Sequence, residues 1–223
     1  MNSAALLHLL HLTSPALPVG AYAYSQGQEY AVELGHLGGI ADARNWIEGV
    51  MRHSVAGLDL PVLSRVYDAW QTNDVEQVND WNQFLQACRE SAEFELEDIQ
   101  MGRALMRLLA SLEIPEALAW PRQKPVCFVT AFALAGVYWK VNLPALRQGY
   151  CWSWLENQVA AATKLIPLGQ TDAQKLLLSL MASVEQCCIA SEHIEDDDIG
   201  AGLPGLALIS AQHETQYSRL FRS

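Results

Sequence analysis

Apolar residues recur at helical spacing along most of the chain, and no stretch of alternating apolar and polar residues is long enough to predict a strand. Asp42 is a favourable N-cap for a helix that Gly57 ends, and Pro61 is placed to begin the next helix. Other helices are expected over residues 3–12, from a cap at Asn73 or Asp74 to Cys88, from Ser91 to Leu109, over residues 126–141, from Pro144 to about Leu165, and from Thr171 or Asp172 to about Ser191. The pattern predicts an all-α, single-domain bundle of roughly eight to ten helices.

Residues 13–33 interrupt the apolar pattern near the N-terminus. Two prolines and Gly20 stop one apolar segment, because proline fixes φ and disfavours helix at the residue before it. From Tyr22 onward the sequence predicts a helix that ends at Gly35. Gly27 lies inside this pattern, where glycine costs about 1 kcal/mol relative to alanine, so a close backbone approach is expected there.

The last 24 residues are predicted to form a docking tail. They mix glycine and proline with apolar side chains that a segment of this length cannot bury by itself, so the tail must dock on its own core or on a partner. We therefore divide the chain into a helical domain, residues 1–199, and a C-terminal tail, residues 200–223, that joins this domain when it is docked.

The amino-acid composition indicates which classes of partner and which cellular location are expected. Charged residues make up only 17% of the chain, which indicates that part of the surface is buried against another chain. The net charge of −11 disfavours nucleic acid and anionic lipid. The chain has five cysteines but no C-x-x-C pair, and its start lacks the basic residues of a signal peptide. Its longest apolar run, residues 126–139, is too short to span a bilayer. These features favour a cytoplasmic protein that is not inserted in the membrane.

Catalytic motifs are missing from the sequence. The chain has no G-x-x-x-x-G-K-[ST] loop and no G-x-S-x-G turn, and His213-Glu214 has Tyr217 where a zinc protease needs its second histidine. A helical enzyme that uses Tyr22, Tyr24 and Glu29 would lack a recognisable pair of nucleophile and base. No enzymatic activity and no cofactor are expected.

Metal binding has weak candidates only. His8 and His11 lie on one helical face and could share a cation, as could Cys188 and Glu192, but either pair also suits ordinary polar or buried helix positions. The acidic residues 196–198 could hold a hard cation loosely or form a solvated loop. No ligand motif is present, so no metal site is predicted.

Three stretches resemble the UreF family of urease accessory proteins: P-V-G-A-Y-A-Y-S-Q-G-Q-E from Pro18, K-L-I-P-L-G-Q from Lys164, and H-E-T-Q-Y-S-R-L-F-R-S from His213. They follow the family's order and approximate spacing and together span nearly the whole chain. The family usually has leucine where this chain has Gln28, which leaves the local packing open.

The resemblance implies an all-α, dimeric, non-catalytic scaffold that acts in nickel-dependent urease maturation. Such proteins bind the accessory protein UreD, also called UreH, and recruit the GTPase UreG, and the assembly delivers nickel to the urease apoprotein. On this basis the candidate partner-binding residues are Lys164, Gln170, His213, Glu214, Tyr217, Arg219, Leu220, Phe221 and Arg222. The family-motif residues are Pro18, Gly20, Tyr24, Ser25, Gly27, Glu29, Pro167 and Gly169.

Two interpretations of each element remain open. Lys164 can serve an interface or simply neutralise the dipole at the end of its helix. Arg219 and Arg222 flank Leu220 and Phe221, an arrangement typical of an apolar anchor or of a frayed terminus. For the whole protein, the hypothesis is an adaptor that couples the nucleotide state of a GTPase to nickel release. The alternative is a direct nickel metallochaperone that uses His8, His11, Cys188 or the acidic loop.

Overall fold

The computed structural model describes residues 2–200 and 202–223. Its α-helices are α1 (Ser3–Leu12), α2 (Gln28–Glu33), α3 (Ile40–Val50), α4 (Leu60–Gln71), α5 (Val75–Ala87), α6 (Ala92–Ser111), α7 (Pro115–Ala119), α8 (Phe128–Tyr138), α9 (Leu143–Leu165), α10 (Gln170–Ser191) and α11 (Pro204–His213). A π-helical turn over Met51–Asp59 joins α3 to α4. The described residues contain no strand, so the all-α prediction is confirmed.

The predicted break at Gly57 is wrong, because helix continues from Ile40 to Gln71. Pro61 lacks the N–H that the Gly57 carbonyl would accept in an ordinary α-helix. In its place the Gly57 oxygen accepts the N–H of Gly200 at 3.3 Å, and the Leu60 N–H bonds to the Val55 oxygen five residues back. The chain thus passes the proline through a widened turn, and the bond to Gly200 connects this turn to the start of the tail.

Asp42 is also not the N-cap that the pattern indicates. Helix α3 begins at Ile40 after Gly39, and Asp42 lies in its first turn. There its carboxylate accepts the N–H of Gly38 at 3.1 Å, so it stabilises the turn before the helix. By contrast, Asp74 and Ser91 cap α5 and α6 with side-chain hydrogen bonds, as predicted.

Helix α8 forms the centre of the core. Its residues from Phe128 to Gly136 are all buried, and it packs mainly against α4 and α6, while α9 packs against α10. Trp70 donates a hydrogen bond to the Thr130 carbonyl at 3.1 Å, which fixes α4 against α8. In the part of the chain that the structure describes, no helix is long and apolar enough to cross a membrane.

The N-terminal motif is less helical than its sequence indicates. A short 3-10 turn covers Ala21–Ala23, and α2 begins only after Gly27, whose φ of 83° is in the left-handed region that glycine favours. The predicted close approach at Gly27 is confirmed: a Cβ there would lie 3.2 Å from the side chains of Leu206 and Ile209. Gly27 is therefore the point where α11 of the tail meets the motif.

Substitution of Gly102 tests how closely α6 packs against the start of α8. A Cβ at this position of α6 would clash with the Val126 carbonyl oxygen, a backbone atom just before α8. We expect Gly102→Ala to lower the free energy of unfolding by about 3 kcal/mol, because α6 and the start of α8 must separate. Urea unfolding followed by circular dichroism measures it.

The matched control is Gly49→Ala in α3, where a Cβ meets no atom within 4 Å. This variant should gain stability, by about 1 kcal/mol, from helix propensity alone. Equal stability of the two variants would contradict the close α6–α8 approach.

Candidate functional site

The end of the tail pairs with the N-terminal motif through its backbone. The Ser223 oxygen accepts the Ser25 N–H at 2.7 Å and the Ser25 hydroxyl at 2.6 Å. The Arg222 N–H donates to the Ala23 carbonyl at 2.8 Å. Ser25 and Ser223 are both fully or almost fully buried, so the chain end is an ordered part of the fold and the frayed-terminus interpretation is wrong.

Glu29 anchors the residues just before this pairing. Its Oε1 accepts the Leu220 N–H at 2.6 Å, and its Oε2 accepts the Phe221 N–H at 2.8 Å. Glu29 is buried in the first turn of α2, where the helix dipole favours a negative charge. Both carboxylate oxygens of Glu29 thus bind the backbone of the tail.

His213 joins two carboxylates inside the protein. The fully buried ring has Nδ1 2.7 Å from Glu93 Oε2 and Nε2 3.3 Å from Glu29 Oε2. Arg219 Nη1 donates to the other Glu93 oxygen at 2.7 Å. Both ring nitrogens can donate at once only when the imidazole is protonated. The tail thus brings one imidazole, from His213, and one guanidinium, from Arg219, to the two buried glutamates.

Glu97 binds the side chain of the last residue, Ser223. The Ser223 hydroxyl donates to Glu97 Oε2 and the Gln26 amide donates to Oε1, each at 2.7 Å. Burial raises the pKa of Glu97 to about 7, against the opposing effect of these hydrogen bonds. We call Ser25, Glu29, Glu93, Glu97 and His213 the tail-anchoring cluster.

The stretch that begins at Lys164 also contacts the docked tail, through the Lys164 side chain. Its Nζ lies 5.2 Å from the ring centroid of Phe221, at the C-terminal end of α9. Phe221 is buried in its own chain, so it is an intramolecular anchor of the tail. Pro167, Gly169 and Gln170 are exposed around the turn into α10, and Pro18 is exposed before the motif. Their predicted roles stay predictions.

The outward side of the tail has a different character. Tyr217 is fully exposed and Leu220 is 65% exposed, and Glu214 and Arg222 also face solvent. The partner-binding candidates therefore separate into a buried set that holds the tail and an exposed set that the tail presents. A partner could reach Phe221 or His213 only if the tail left the core.

Side chains of helix α9 form hydrogen bonds that position residues 21–28 of the N-terminal motif. Trp154 donates to the Gln26 side chain at 2.8 Å, and Asn157 donates to the Ala21 carbonyl at 3.0 Å. Gln28 is buried, and its amide donates to the Gln158 side chain at 2.7 Å. This buried polar pair lies where the resemblance implies a leucine, and within the described residues Gln28 Oε1 and Gln158 Nε2 have no hydrogen-bond partner.

A charged group that the sequence did not indicate lies beside the motif. Arg89 bridges Asp59 at 2.6 Å and Asp98 at 2.8 Å, and all three are nearly buried. Burial raises the pKa of Asp59 in spite of the neighbouring guanidinium. This triad lines a cavity of about 210 Å³ beneath residues 12–22, next to Glu97. Asp59 comes from the π-helical turn, Arg89 from the loop between α5 and α6, and Asp98 from α6, so only the folded chain reveals the triad.

The candidate metal ligands have other contacts. His8 stacks on Trp139 with ring centroids 4.9 Å apart, and His11 meets the edge of the same ring at 6.1 Å. Glu192 binds Arg147 at 2.6 Å. Within residues 2–200 and 202–223, no three side chains of His, Cys, Asp or Glu are grouped so that they could hold a metal ion. No contact in the described chain therefore favours the metallochaperone alternative.

Comparison with known proteins gives a consistent result. The model of the family described as UreF matches residues 38–181. A urease accessory protein UreF from Teredinibacter turnerae is 55% identical over 218 residues, which cover 98% of each chain. The protein of the same name from Alkalilimnicola ehrlichii is 47% identical over 96% of this chain and 94% of its own length. The one from Hahella chejuensis is 45% identical over all of both chains.

The raised pKa of Glu97 predicts a pH-dependent contribution to stability. The folded protein binds this proton more tightly than the unfolded chain does, so the contribution is complete below pH 4.5 and is lost as pH rises through about 7. Glu97→Gln removes the titration. We expect its stability relative to wild type to increase by about 3 kcal/mol between pH 5 and pH 8, measured by denaturant unfolding.

Glu95→Gln is the matched control, because Glu95 is exposed on the same helix two residues away. Its stability relative to wild type should not change with pH. A relative stability of Glu97→Gln that is equally independent of pH would contradict the raised pKa.

Proposed function

Because the chain belongs to the UreF family of urease accessory proteins, we propose that it acts in nickel-dependent urease maturation as a non-catalytic adaptor. It binds a UreD/UreH-type accessory protein in the cytoplasm and recruits and regulates the GTPase UreG. Through this complex it serves the urease apoprotein, for which nickel is cargo, and it uses no cofactor of its own.

The observation that carries this proposal is the way the tail is held. The tail-anchoring cluster fixes residues 213–223 against the motif, and Tyr217 and Leu220 point outward from this fixed backbone. An ordered segment loses less conformational entropy on binding than a disordered one. An exposed tyrosine and an exposed leucine on the same short segment supply the aromatic and apolar contacts that protein interfaces favour. The proposed docking surface for the UreD-type protein is this outer side of the tail.

The non-catalytic assignment is supported by where the reactive groups are. Glu29, Glu93 and His213 are buried and bonded to one another or to the tail. A general base needs access to a substrate proton, which these groups do not have. Their hydrogen bonds hold the tail in place, which is the task of a scaffold.

Regulation of the GTPase requires that the adaptor bind its nucleotide states unequally. A partner with equal affinity for both states shifts neither of them. The turn at residues 167–170 joins α9 to α10, and it follows closely after Lys164, which contacts Phe221 of the tail. We assign the GTPase-facing role to this turn.

A homodimer is part of the proposal. The low charged fraction fits a chain with buried interface area, and α1 exposes Leu6, Leu7 and Leu10 at 44%, 64% and 57%. A row of exposed leucines on one helix is the kind of patch that a second copy covers.

The docking surface is tested with the UreD-type partner. The double variant Tyr217→Ala/Leu220→Asp should weaken the complex by about 30-fold or more, because both side chains are exposed on the proposed docking surface. Affinity is measured by biolayer interferometry, and light scattering gives the mass of each complex.

Light scattering on the chain alone tests the homodimer. The expected mass of the dimer is twice the 24.7 kDa of one chain.

Leu178→Asp serves as the control, since Leu178 is 64% exposed on α10, away from the tail. It should bind the partner as wild type does. Equal binding by the double variant and the control would move the interface elsewhere. Absence of binding by the wild-type chain would overturn the adaptor proposal itself.

A further inference from the structure

A second cavity, of about 580 Å³, lies between α6, α7 and the segment after α7. Four cationic side chains line it: Arg103 and Arg107 one turn apart on α6, and Arg122 and Lys124 from the loop before α8. In the described residues none of the four forms an ion pair or a side-chain hydrogen bond. This concentration of free positive charge is unexpected in a protein with a net charge of −11.

Most other cations in the described chain pair with carboxylates, for example Arg52 with Glu48, Arg65 with Asp196, Arg147 with Glu192, and Lys175 with Asp172. No acidic side chain lines the cavity. Four like charges around one space repel each other, which lowers the stability of the empty protein. A ligand of opposite charge would remove this repulsion.

Two buried hydrogen-bond donors in the cavity walls lack acceptors. Trp120 is only 9% exposed, and its Nε1 has no partner; neither has Nε of Arg103. A buried donor without an acceptor is destabilising by roughly 1–3 kcal/mol. The Lys124 ammonium lies 5.3 Å from the Trp120 ring centroid, so it is held beside the indole. The four cations around the cavity favour an anion rich in acceptor oxygens.

The remaining lining sets the size and shape of the ligand. Met106, Ala117, Leu118 and Val126 supply apolar surface, and apart from the Ser111 hydroxyl the polar side chains can only donate. The volume falls within the range of about 300–1,000 Å³ typical of small-molecule sites. Arginine forks suit phosphate oxygens, which accept several bonds at once.

We propose that this cavity binds a phosphate-bearing small molecule. The phosphate oxygens accept from the four cations, and the apolar wall contacts the rest of the ligand. An acidic protein segment fits less well, because it would meet the exposed Arg107 and Arg122 at the rim and leave the half-buried Arg103 and Lys124 without an anion. The site is independent of the tail and of the adaptor proposal.

Isothermal titration calorimetry on the full chain tests this site with two probes. Inorganic pyrophosphate carries the phosphate chemistry alone, and ATP adds a sugar and a base. We expect at least one probe to bind with a dissociation constant below about 1 mM. Arg107→Gln/Arg122→Gln should weaken binding at least tenfold.

The double variant Lys140→Gln/Lys175→Gln is the matched control, because it removes the same charge at exposed positions outside the cavity. It should bind both probes as wild type does. Equal affinity for the two probes would identify free phosphate chemistry as sufficient, and preference for ATP would identify a nucleotide-like ligand. No binding, or an equal loss in the control, would overturn the proposal. So would binding of an acidic peptide alone that depends on Arg107 and Arg122.

Discussion

The buried carboxylate of Glu29 is the contact on which the arrangement of this protein depends. The chain folds back on itself at its end, and backbone N–H groups that leave water need acceptors. Glu29 supplies two of them, to Leu220 and Phe221, from a short helix that its own charge stabilises. Glu93 and Glu97 complete the attachment through side chains of the tail. The acidic balance of the chain is thus used to hold its own terminus, and the exposed residues of the tail are presented on a fixed backbone.

The widened turn at Met51–Asp59 supports the other end of the tail. Because Pro61 cannot donate to the Gly57 carbonyl, that oxygen is available to the N–H of Gly200. The same turn contributes Asp59 to the buried triad with Arg89. One helical irregularity therefore both begins the attachment of the tail and lines the cavity beneath the motif, which joins parts of the chain that are far apart in sequence.

Local signals in the sequence predicted most of the helices, because caps such as Asp74 and Ser91 act through neighbouring residues. The sequence also indicated the close approach at Gly27, since glycine there had no local explanation. Pro61 misled because the compensating contact, Gly200, lies far along the chain. The partners of Glu29 and the arginine-lined cavity could not be predicted, since each depends on which helices pack together. The three stretches that resemble the UreF family could be recognised in the sequence, but the contacts among them could not be predicted. In the fold, Phe221 contacts both Glu29 and Lys164.

Amide hydrogen exchange at Leu220 and Phe221 tests the central claim most directly. With Glu29 as their acceptor, both amides should be protected in the wild-type chain. Glu29→Gln leaves one acceptor for two donors and should speed their exchange at least about tenfold, whereas Glu33→Gln, at the exposed end of the same helix, should not. Exchange that is equally slow in all three proteins, or already unprotected in the wild type, would contradict the role given to Glu29.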